Sequence, residues 1–312
     1  MPRTKPFAAI VLVGALLAAC GGSGSGSSGE APGPAAGDCD STSYLVGGTC
    51  VTFAERLDER ATTPFVENGI AIELEVVMFR PPGASGALPT VMFNHGSTGN
   101  GADPSLFGTT VTFKTAARFF VERGFMVAFP QRRGRGRSDG LYDEGFTADR
   151  SGYSCDRDIS LAGAERALDD LDAAVDWLRQ RSDVDTTNML IGGVSRGGIL
   201  SVAHAAERPD VYRGAINFVG GWIGEGCGDF LDINRTLFID AAAWAGASTW
   251  LYAEDDSFYS IAHSRSNFDA FTAAGGMGDF HVYQRAAGLN GHFVVNDLDL
   301  WEATVDAYLD TL

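Results

Sequence analysis

The segment Met189-Leu190-Ile191-Gly192-Gly193-Val194-Ser195-Arg196-Gly197 contains the pattern Gly-x-Ser-x-Gly. The apolar residues 189–192 before the pattern predict a buried strand, and residues 196–207 after it predict a helix. A sharp turn between strand and helix holds a serine in a strained, exposed position, and flanking glycines let neighbouring elements approach. The pattern alone is weak in a chain with 40 glycines, but this context favours Ser195 as a nucleophile over a passive turn residue.

A serine nucleophile needs a base that removes its proton, and histidine is the usual base. The chain has five histidines. His292 lies in a loop after the last predicted strand, so its imidazole is free to reach Ser195. The other four are expected to be structural or solvated: His95 after a buried strand, His204 packed within a helix, His263 solvated at a helix start and His281 within a strand.

The imidazole in turn needs a carboxylate that fixes its tautomer and stabilises the imidazolium. Three adjacent acids, Glu254, Asp255 and Asp256, follow the predicted strand at residues 248–253. All three lie between Ser195 and His292 along the chain. Spacing alone does not select one of them.

Strand-like and helix-like segments alternate from residue 70 onward. The predicted strands are 70–80, 88–94, 125–129, 189–192, 214–219, 248–253 and 280–284, and the predicted helices are 113–123, 159–181, 196–207, 234–245, 261–274 and 298–312. This alternation predicts an α/β fold, with a mainly parallel central sheet and helices on both faces. Ligands of such sheets bind beyond the carboxyl ends of the strands, where the predicted serine, acid and histidine lie.

Acyl transfer also needs hydrogen-bond donors for the oxyanion that forms on the substrate. One expected donor is the backbone N–H of Arg196, the residue after the nucleophile. The other is expected in Asn94-His95-Gly96-Ser97, the loop after the strand at residues 88–94. Gly96 permits the turn there and the backbone N–H of Ser97 donates, so His95 is structural in this interpretation.

From about residue 89 to residue 293, the chain resembles the dienelactone-hydrolase and prolyl-oligopeptidase-like branch of the α/β-hydrolases. The matching segments are Phe93-Asn94-His95-Gly96, Arg132-Arg133-Gly134-Arg135-Gly136-Arg137-Ser138, Gly193-Val194-Ser195-Arg196-Gly197, Leu251-Tyr252-Ala253-Glu254-Asp255-Asp256 and Gly291-His292-Phe293. The resemblance implies the α/β-hydrolase fold and no cofactor.

The resemblance also selects the acid. In this family the acid segment usually reads Gly-x-x-Asp, which implies Asp256 when laid on residues 253–256, although Ala253 replaces the usual glycine. The implied catalytic triad is Ser195, Asp256 and His292. Dienelactone hydrolases use a cysteine nucleophile, so Ser195 favours hydrolysis of other esters or amides.

Two further features have alternative interpretations. Arginines 132, 133, 135 and 137 are expected to shape the fold, and binding of an anionic substrate is the alternative. A small insertion at residues 220–247 precedes the acid strand, and its Trp222 is expected either to line the substrate pocket or to belong to the core. The insertion is too short for a large lid, which predicts an open cleft.

The N-terminus has the features of an export signal. Arg3 and Lys5 precede the apolar residues 7–19, and Leu17-Ala18-Ala19-Cys20 resembles a bacterial lipoprotein lipobox. The resemblance implies cleavage before Cys20 and its lipidation, and an ordinary secretory signal is the alternative. We therefore expect a signal peptide at 1–19, a Gly- and Ser-rich lipid-anchored tether at 20–37 and a catalytic domain at 38–312, attached to a membrane of the bacterial cell envelope.

The remaining four cysteines predict disulfides in an exported protein. Of three possible pairings, Cys39–Cys50 with Cys155–Cys227 is expected, because the first pair brackets a Gly-Gly turn. None has metal-ligand spacing, so no metal is expected. The net charge of −17 repels phosphate backbones and disfavours nucleic acid as a partner.

Together these features predict a serine-dependent hydrolase that cleaves small carboxylic esters through an acyl-enzyme. A serine peptidase acting on short peptides is the alternative within enzymes. It is less favoured because prolyl oligopeptidases carry an additional β-propeller, for which this chain has no room. A non-catalytic lipoprotein that retains a hydrolase fold is the alternative outside enzymes.

Overall fold

The structure is a computed structural model that describes residues 39–312. Within them, an eight-stranded sheet and a separate two-stranded hairpin are formed. The strands are β1 (Ser43–Val46), β2 (Thr49–Thr52), β3 (Glu55–Glu67), β4 (Ile70–Arg80), β5 (Leu88–Asn94), β6 (Met126–Pro130), β7 (Val184–Val194), β8 (Tyr212–Phe218), β9 (Ala247–Ala253) and β10 (Met277–Tyr283). The α-helices are α1 (Lys114–Val121), α2 (Arg157–Arg179), α3 (Arg196–Glu207), α4 (Phe230–Ala241), α5 (Ile261–Ala273) and α6 (Leu298–Leu309).

The large sheet has the strand order β10-β9-β8-β7-β5-β6-β4-β3. Strands β5 to β10 are all parallel, whereas β4 pairs antiparallel with β6 and β3 pairs antiparallel with β4. Each parallel strand from β5 to β9 is followed by a helix that leads back to the next strand. The predicted α/β architecture, a mainly parallel sheet with helices on both faces, is confirmed.

Where the sequence pattern of a strand or helix was strong, its predicted bounds agree with the structure. The strands β4 and β5 and the helix α3 span the predicted residues. The helix α2 begins at Arg157, two residues before the predicted start, because the Asp156 side chain caps it by accepting a hydrogen bond from the Ile159 N–H at 3.0 Å.

The helix α4 lies four residues before its predicted position at both ends. Asn234, the first residue of the predicted helix, instead lies within the helix, and its side chain is buried. Its Oδ1 accepts from the Trp222 N–H at 2.7 Å and its Nδ2 donates to the Ile223 carbonyl at 2.8 Å. The asparagine therefore satisfies the buried backbone of a neighbouring loop instead of starting the helix.

The strand β3 was not predicted. It lies at the sheet edge, and alternate residues from Glu55 to Glu67 are at least half-buried while their neighbours are exposed. Several half-buried positions carry glutamate or threonine, and Pro64 interrupts the run, so the apolar alternation that marks a strand is weak. Proline is tolerated because an edge strand leaves some N–H groups unpaired.

The two predicted disulfides, Cys39–Cys50 and Cys155–Cys227, are both present in the structure. The first closes the β1–β2 hairpin, whose turn residues Gly47 and Gly48 have φ values of 55° and 84°. Two consecutive positive φ angles define a tight hairpin turn that glycine adopts without steric cost. The second joins the loop before α2 to the insertion before α4.

Loss of the Cys155–Cys227 bond is expected to destabilise the fold strongly. The bond joins residues 72 apart in the sequence. Closing a loop of that length lowers the entropy of the unfolded chain and so raises its free energy by about 4 kcal/mol. In urea denaturation, the free energy of unfolding of the Cys155→Ala/Cys227→Ala double variant should be lower than that of the native chain by about this amount. A loss below about 1 kcal/mol would show that the bond contributes little to stability.

The predicted signal peptide, tether and lipidation site at Cys20 lie outside the described residues. Within residues 39–312, no helix has the length and apolar character needed to span a membrane. The same residues contain no group of three or more His, Cys, Asp or Glu side chains that could hold a metal ion.

Candidate active site

Ser195 occupies the turn between β7 and α3. Its φ and ψ angles are 58° and −123°, a region that non-glycine residues rarely adopt and that costs of order 1–3 kcal/mol. Two hydrogen bonds hold the turn: the Ser195 N–H donates to the Phe218 carbonyl and the Ser195 carbonyl accepts from the Gly198 N–H, each at 2.9 Å. The surrounding sheet and helix therefore enforce the strained backbone.

The glycines of the pattern are required by close packing around this turn. A Cβ atom on Gly197 would lie 2.1 Å from the Asn94 carbonyl oxygen, and one on Gly193 would lie 2.4 Å from the Gly197 carbonyl oxygen. Both distances are far below van der Waals contact. The pattern therefore lets β5 approach the start of α3, which brings the loop after β5 next to Ser195.

His292 and Asp256 form a hydrogen-bonded pair. The His292 Nδ1 lies 2.9 Å from Oδ2 and 3.1 Å from Oδ1 of Asp256. The Asp256 side chain is 1% exposed, and its Oδ1 also accepts from the N–H groups of Phe258 and Tyr259, at 2.7 and 3.1 Å. The carboxylate is fixed from two sides, as required to orient an imidazole.

The other two acids of the segment point elsewhere. Glu254 and Asp255 are exposed, and Asp255 Oδ2 accepts a long hydrogen bond of 3.3 Å from the Gln284 side chain. Asp255 has a φ of 61°, so the chain turns sharply before Asp256 and directs the last carboxylate inward. The geometry thus distinguishes three acids that spacing left equivalent.

The loop that carries His292 packs closely on the acid loop. The Gly291 N–H donates to the Asp255 carbonyl at 3.1 Å, and a Cβ atom on Gly291 would lie 2.2 Å from the Glu254 carbonyl oxygen. The Asn290 side chain also accepts from the His292 N–H at 3.0 Å. These contacts bring the loops after β9 and β10 together.

Tyr259 is a site residue that the sequence did not reveal. It is 3% exposed, its hydroxyl donates to the Gly221 carbonyl at 2.7 Å, and its ring centroid lies 5.7 Å from that of His292. Burial raises the pKa of Tyr259, an effect that the Arg196 guanidinium and a hydrogen-bonding contact with the Ser195 hydroxyl oppose. Its position three residues after Asp256 is the only signal for it in the sequence.

Ser195 and this pair share Tyr259 as a neighbour: the Tyr259 side chain is hydrogen-bonded to Ser195, and its ring centroid lies 5.7 Å from that of His292. In the part of the chain that the structure describes, no hydrogen bond joins Ser195 Oγ to the His292 ring. Catalytic hydrogen bonds are often long without a bound substrate and tighten in the reacting complex. We therefore expect the bond between Ser195 and His292 to form when a substrate excludes water.

The predicted oxyanion loop lies against the serine. A Cβ atom on Gly96 would be 3.1 Å from the Ser195 Cβ and 3.7 Å from its Oγ, so the loop packs closely on Ser195. Among residues 39–312, neither the Ser97 nor the Arg196 backbone N–H donates to a protein acceptor. Both donors are therefore available to a ligand oxygen.

Three of the other four histidines have structural surroundings. His95 is 1% exposed, its Nδ1 lies 2.8 Å from the Gly96 carbonyl and its Nε2 accepts from the Arg132 N–H at 3.2 Å. His204 is buried between Asp172 and Tyr212. The expectation of a solvated His263 is wrong: it is 7% exposed, because the amides of Asn234 and Asn267 surround its Nε2.

Three of the four clustered arginines are held by carboxylates of the fold. Arg132 pairs with Glu144, Arg133 with Asp170 and Arg137 with Glu75. Arg135 differs. It is 2% exposed and has no carboxylate within ion-pair distance among the described residues. Its Nε has no hydrogen-bond partner among those residues, and its Nη1 lies 3.5 Å from the Gly96 carbonyl oxygen. The structural interpretation thus fits three arginines, whereas Arg135 lies over the Tyr142 ring, 5.1 Å from its centroid, beside the loop at residues 94–97.

Trp222 belongs to the core rather than to an open pocket. It is 1% exposed, its Nε1 donates to the Ser160 carbonyl at 2.9 Å, and the Arg196 guanidinium lies 4.0 Å from its ring centroid. Besides the buried Tyr259, two half-buried aromatic rings lie beside His292: those of Phe258 and Phe293, with centroids 4.6 and 5.9 Å from the centroid of the imidazole.

The sequence comparisons match part of the chain. Residues 111–222, which include the arginine cluster and Ser195, match the model of the prolyl oligopeptidase family. This is less than half of the chain. No curated protein matches the chain in sequence.

Solved structures match it more extensively. An esterase from Pyrococcus furiosus has a TM-score of 0.56 at 14% identity, covering 83% of this chain and 91% of the esterase. A candidate dienelactone hydrolase from Klebsiella pneumoniae has a TM-score of 0.51 at 18% identity, covering 78% and 90%. The acylaminoacyl peptidase of Pyrococcus horikoshii has a TM-score of 0.52 at 16% identity, covering 75% of this chain but only 37% of the longer peptidase. The strand order, the serine turn and these matches together show that the chain has the α/β-hydrolase fold.

Proposed function

We propose that this chain is a serine-dependent hydrolase of carboxylic esters, with Ser195 as nucleophile, His292 as general base and Asp256 as the orienting acid. The observation that carries the proposal is that a strained serine turn and a buried Asp–His pair lie at the same edge of the parallel sheet, both beside Tyr259. A backbone strain of this kind persists only where the fold enforces it, and it concentrates at functional sites. The chain order of serine, aspartate and histidine is also that of α/β-hydrolases.

In this proposal the reaction proceeds through an acyl-enzyme. His292 Nε2 takes the proton of Ser195 Oγ as that oxygen attacks the ester carbonyl carbon. The N–H groups of Ser97 and Arg196 stabilise the negative charge on the carbonyl oxygen. The intermediate then expels the alkoxide, which takes the proton from His292. A water molecule, deprotonated by His292, then attacks the acyl carbon; the bond to Ser195 Oγ breaks, that oxygen takes the proton back from His292, and the acid is released.

Esters are favoured over peptides as substrates because of the size of the matching proteins. The esterase from Pyrococcus furiosus matches over 91% of its length, whereas the acylaminoacyl peptidase contains much additional sequence that has no counterpart here. The half-buried rings of Phe258 and Phe293 beside His292 also offer an apolar surface to a small acyl or alcohol group.

We also propose that the protein acts at a bacterial envelope membrane, attached through lipid on Cys20. The signal pattern at residues 1–20 and the tether at 20–37 support this location. The strongly acidic composition, with a net charge of −17, is consistent with attachment by lipid rather than by adsorption to anionic headgroups. Mass spectrometry of the mature N-terminus would test it, and an unmodified or absent Cys20 would contradict it.

The preference for esters is tested with matched substrates. The full chain, purified in detergent, is assayed on p-nitrophenyl esters from acetate to palmitate and on N-acetyl-alanine presented as its p-nitrophenyl ester and its p-nitroanilide. We expect hydrolysis of the esters, with the highest kcat/KM on short acyl chains, and little turnover of the anilide. Efficient anilide hydrolysis would indicate a peptidase. A folded protein that cleaves neither class would indicate a non-catalytic role.

A further inference from the structure

Glu144 is a buried carboxylate that the proposed mechanism does not use. Its side chain is 3% exposed and lies in the irregular segment between β6 and α2. One carboxylate oxygen accepts from the Arg132 Nε, and the other accepts from the Arg196 Nη1 at 3.3 Å. The Glu144 backbone carbonyl accepts from the same Arg196 nitrogen at 3.0 Å. One carboxylate thus bridges two buried guanidinium groups.

The first of these arginines supports the oxyanion loop. The Arg132 Nη1 donates to the His95 carbonyl at 2.8 Å, and its backbone N–H donates to the His95 Nε2 at 3.2 Å. A longer contact of 3.4 Å joins its Nη2 to the Gly96 carbonyl. The two carbonyls that Arg132 binds belong to the two residues directly before Ser97.

The second arginine carries the other oxyanion donor on its own backbone. The Arg196 side chain is enclosed: its Nε donates to the Trp222 carbonyl at 2.7 Å, and its guanidinium lies 3.6 Å from the centroid of the Tyr153 ring. A side chain held this firmly at the first residue of α3 limits the motion of the backbone N–H that follows Ser195.

A second route leads from Glu144 to the same loop through two tyrosines. The Tyr142 hydroxyl donates to the Glu144 Oε2 at 3.2 Å and is also hydrogen-bonded to the Tyr153 hydroxyl. The Tyr153 hydroxyl accepts from the Thr98 N–H at 3.2 Å. Ser97 is therefore flanked on one side by residues tied to Arg132 and on the other by a residue tied to Tyr153.

Glu144 is charged in this environment. Burial alone would raise the pKa of Glu144, but the Arg132 and Arg196 guanidinium groups hold it below its ordinary value. Both arginines are almost fully buried. Removing the negative charge leaves two buried cations without their shared partner, which favours their rearrangement.

We propose that Glu144 is a positioning residue that holds the two oxyanion donors, the N–H groups of Ser97 and Arg196, in one geometry. The inference rests on the proposed hydrolase function and assigns Glu144 no contact with the substrate. Oxyanion donors act only when fixed at the position where charge develops. Binding of the uncharged ester in the ground state depends far less on them.

The Glu144→Gln variant tests this role because it removes the charge and keeps the shape. We expect kcat on p-nitrophenyl acetate to fall about 10- to 100-fold, somewhat less than the loss of a whole donor, with a much smaller change in KM. The affinity for an alkyl trifluoromethyl ketone, which forms a tetrahedral adduct with a serine nucleophile, should fall in proportion to kcat/KM. A merely structural role would lower the melting temperature without this proportional change.

Asp170→Asn is the matched control. Asp170 is also a buried carboxylate, 3% exposed, and it binds the Nε and the backbone N–H of Arg133, the residue next to Arg132. None of these bonds reaches the loop at residues 94–98. The control should lose stability but retain kcat and ketone affinity within about threefold of the native chain. If Asp170→Asn lost as much kcat and ketone affinity as Glu144→Gln, the assignment of Glu144 would be overturned.

The remaining outcomes are also decisive. A folded Glu144→Gln variant that retains kcat and ketone affinity within about threefold would overturn the inference, because an intact oxyanion hole contributes more than that. If Glu144→Gln does not fold, Tyr142→Phe is measured instead: a parallel, smaller loss of kcat and ketone affinity supports the inference, and unchanged values overturn it. Absence of hydrolysis by the native chain would contradict the proposed function itself.

Discussion

Replacement of Ser195 by alanine is expected to reduce kcat on p-nitrophenyl acetate by about 10⁶-fold. The nucleophile, base and acid act as one unit, so removal of the attacking oxygen abolishes the acyl-enzyme route and leaves only the weak effect of the oxyanion donors and binding. The fold should be retained, because the variant keeps the backbone hydrogen bonds of the Ser195 N–H and carbonyl and removes a single atom.

The appropriate control is Ser105→Ala, which changes an exposed serine far along the chain from Ser195. It should hydrolyse the ester at the native rate. Circular dichroism and the melting temperature of both variants are measured with the activity. Substantial hydrolysis by a folded Ser195→Ala chain would place the nucleophile elsewhere.

The second large effect is expected for Asp256→Asn, with a loss of kcat of about 10⁴-fold. An amide in place of the carboxylate presents a donor as well as an acceptor to His292 Nδ1, which favours the wrong imidazole tautomer and no longer stabilises the imidazolium. The side chain would keep an oxygen acceptor for the Phe258 and Tyr259 N–H groups, so the loop should hold its shape.

The adjacent acids provide controls for this effect within the same loop. Asp255→Asn and Glu254→Gln make the equivalent change at exposed side chains, and asparagine tolerates the positive φ of residue 255. Both variants should retain kcat within about threefold of the native value, as expected for exposed sites. A loss in Asp255→Asn as large as in Asp256→Asn would transfer the orienting role to Asp255.

Where the sequence carried a strong local pattern, the fold could be predicted. Residues 90–94 of β5 and the serine pattern at residues 193–197 are buried in the structure, so hydrophobicity and packing indicate the same elements. Prediction from local sequence patterns failed where tertiary contacts override local conformational preference. Asn234 lies inside α4, where its side chain forms hydrogen bonds with the backbone of Trp222 and Ile223. The strand β3 forms because it pairs with β4, although its own composition gives only a weak strand pattern.

Sequence patterns likewise predicted some residues of the candidate site and not others. Ser195, His292 and the donor loop could be proposed from patterns, because glycines and loop ends mark them in the sequence. The choice of Asp256 needed the family resemblance, and its physical reason appears only in the turn at Asp255 and the burial of the carboxylate. Glu144 and Tyr259 could not be found from the sequence, because contacts between residues far apart in the chain define them.

Covalent labelling tests whether Ser195 is an activated nucleophile. The full chain is treated with a fluorophosphonate, which reacts with activated serines, and the modified peptide is identified by mass spectrometry, with Ser195→Ala treated in parallel. We expect one phosphonylated residue, Ser195, and no labelling of the variant. Labelling of a different serine, or no labelling of the folded native chain, would contradict this expectation.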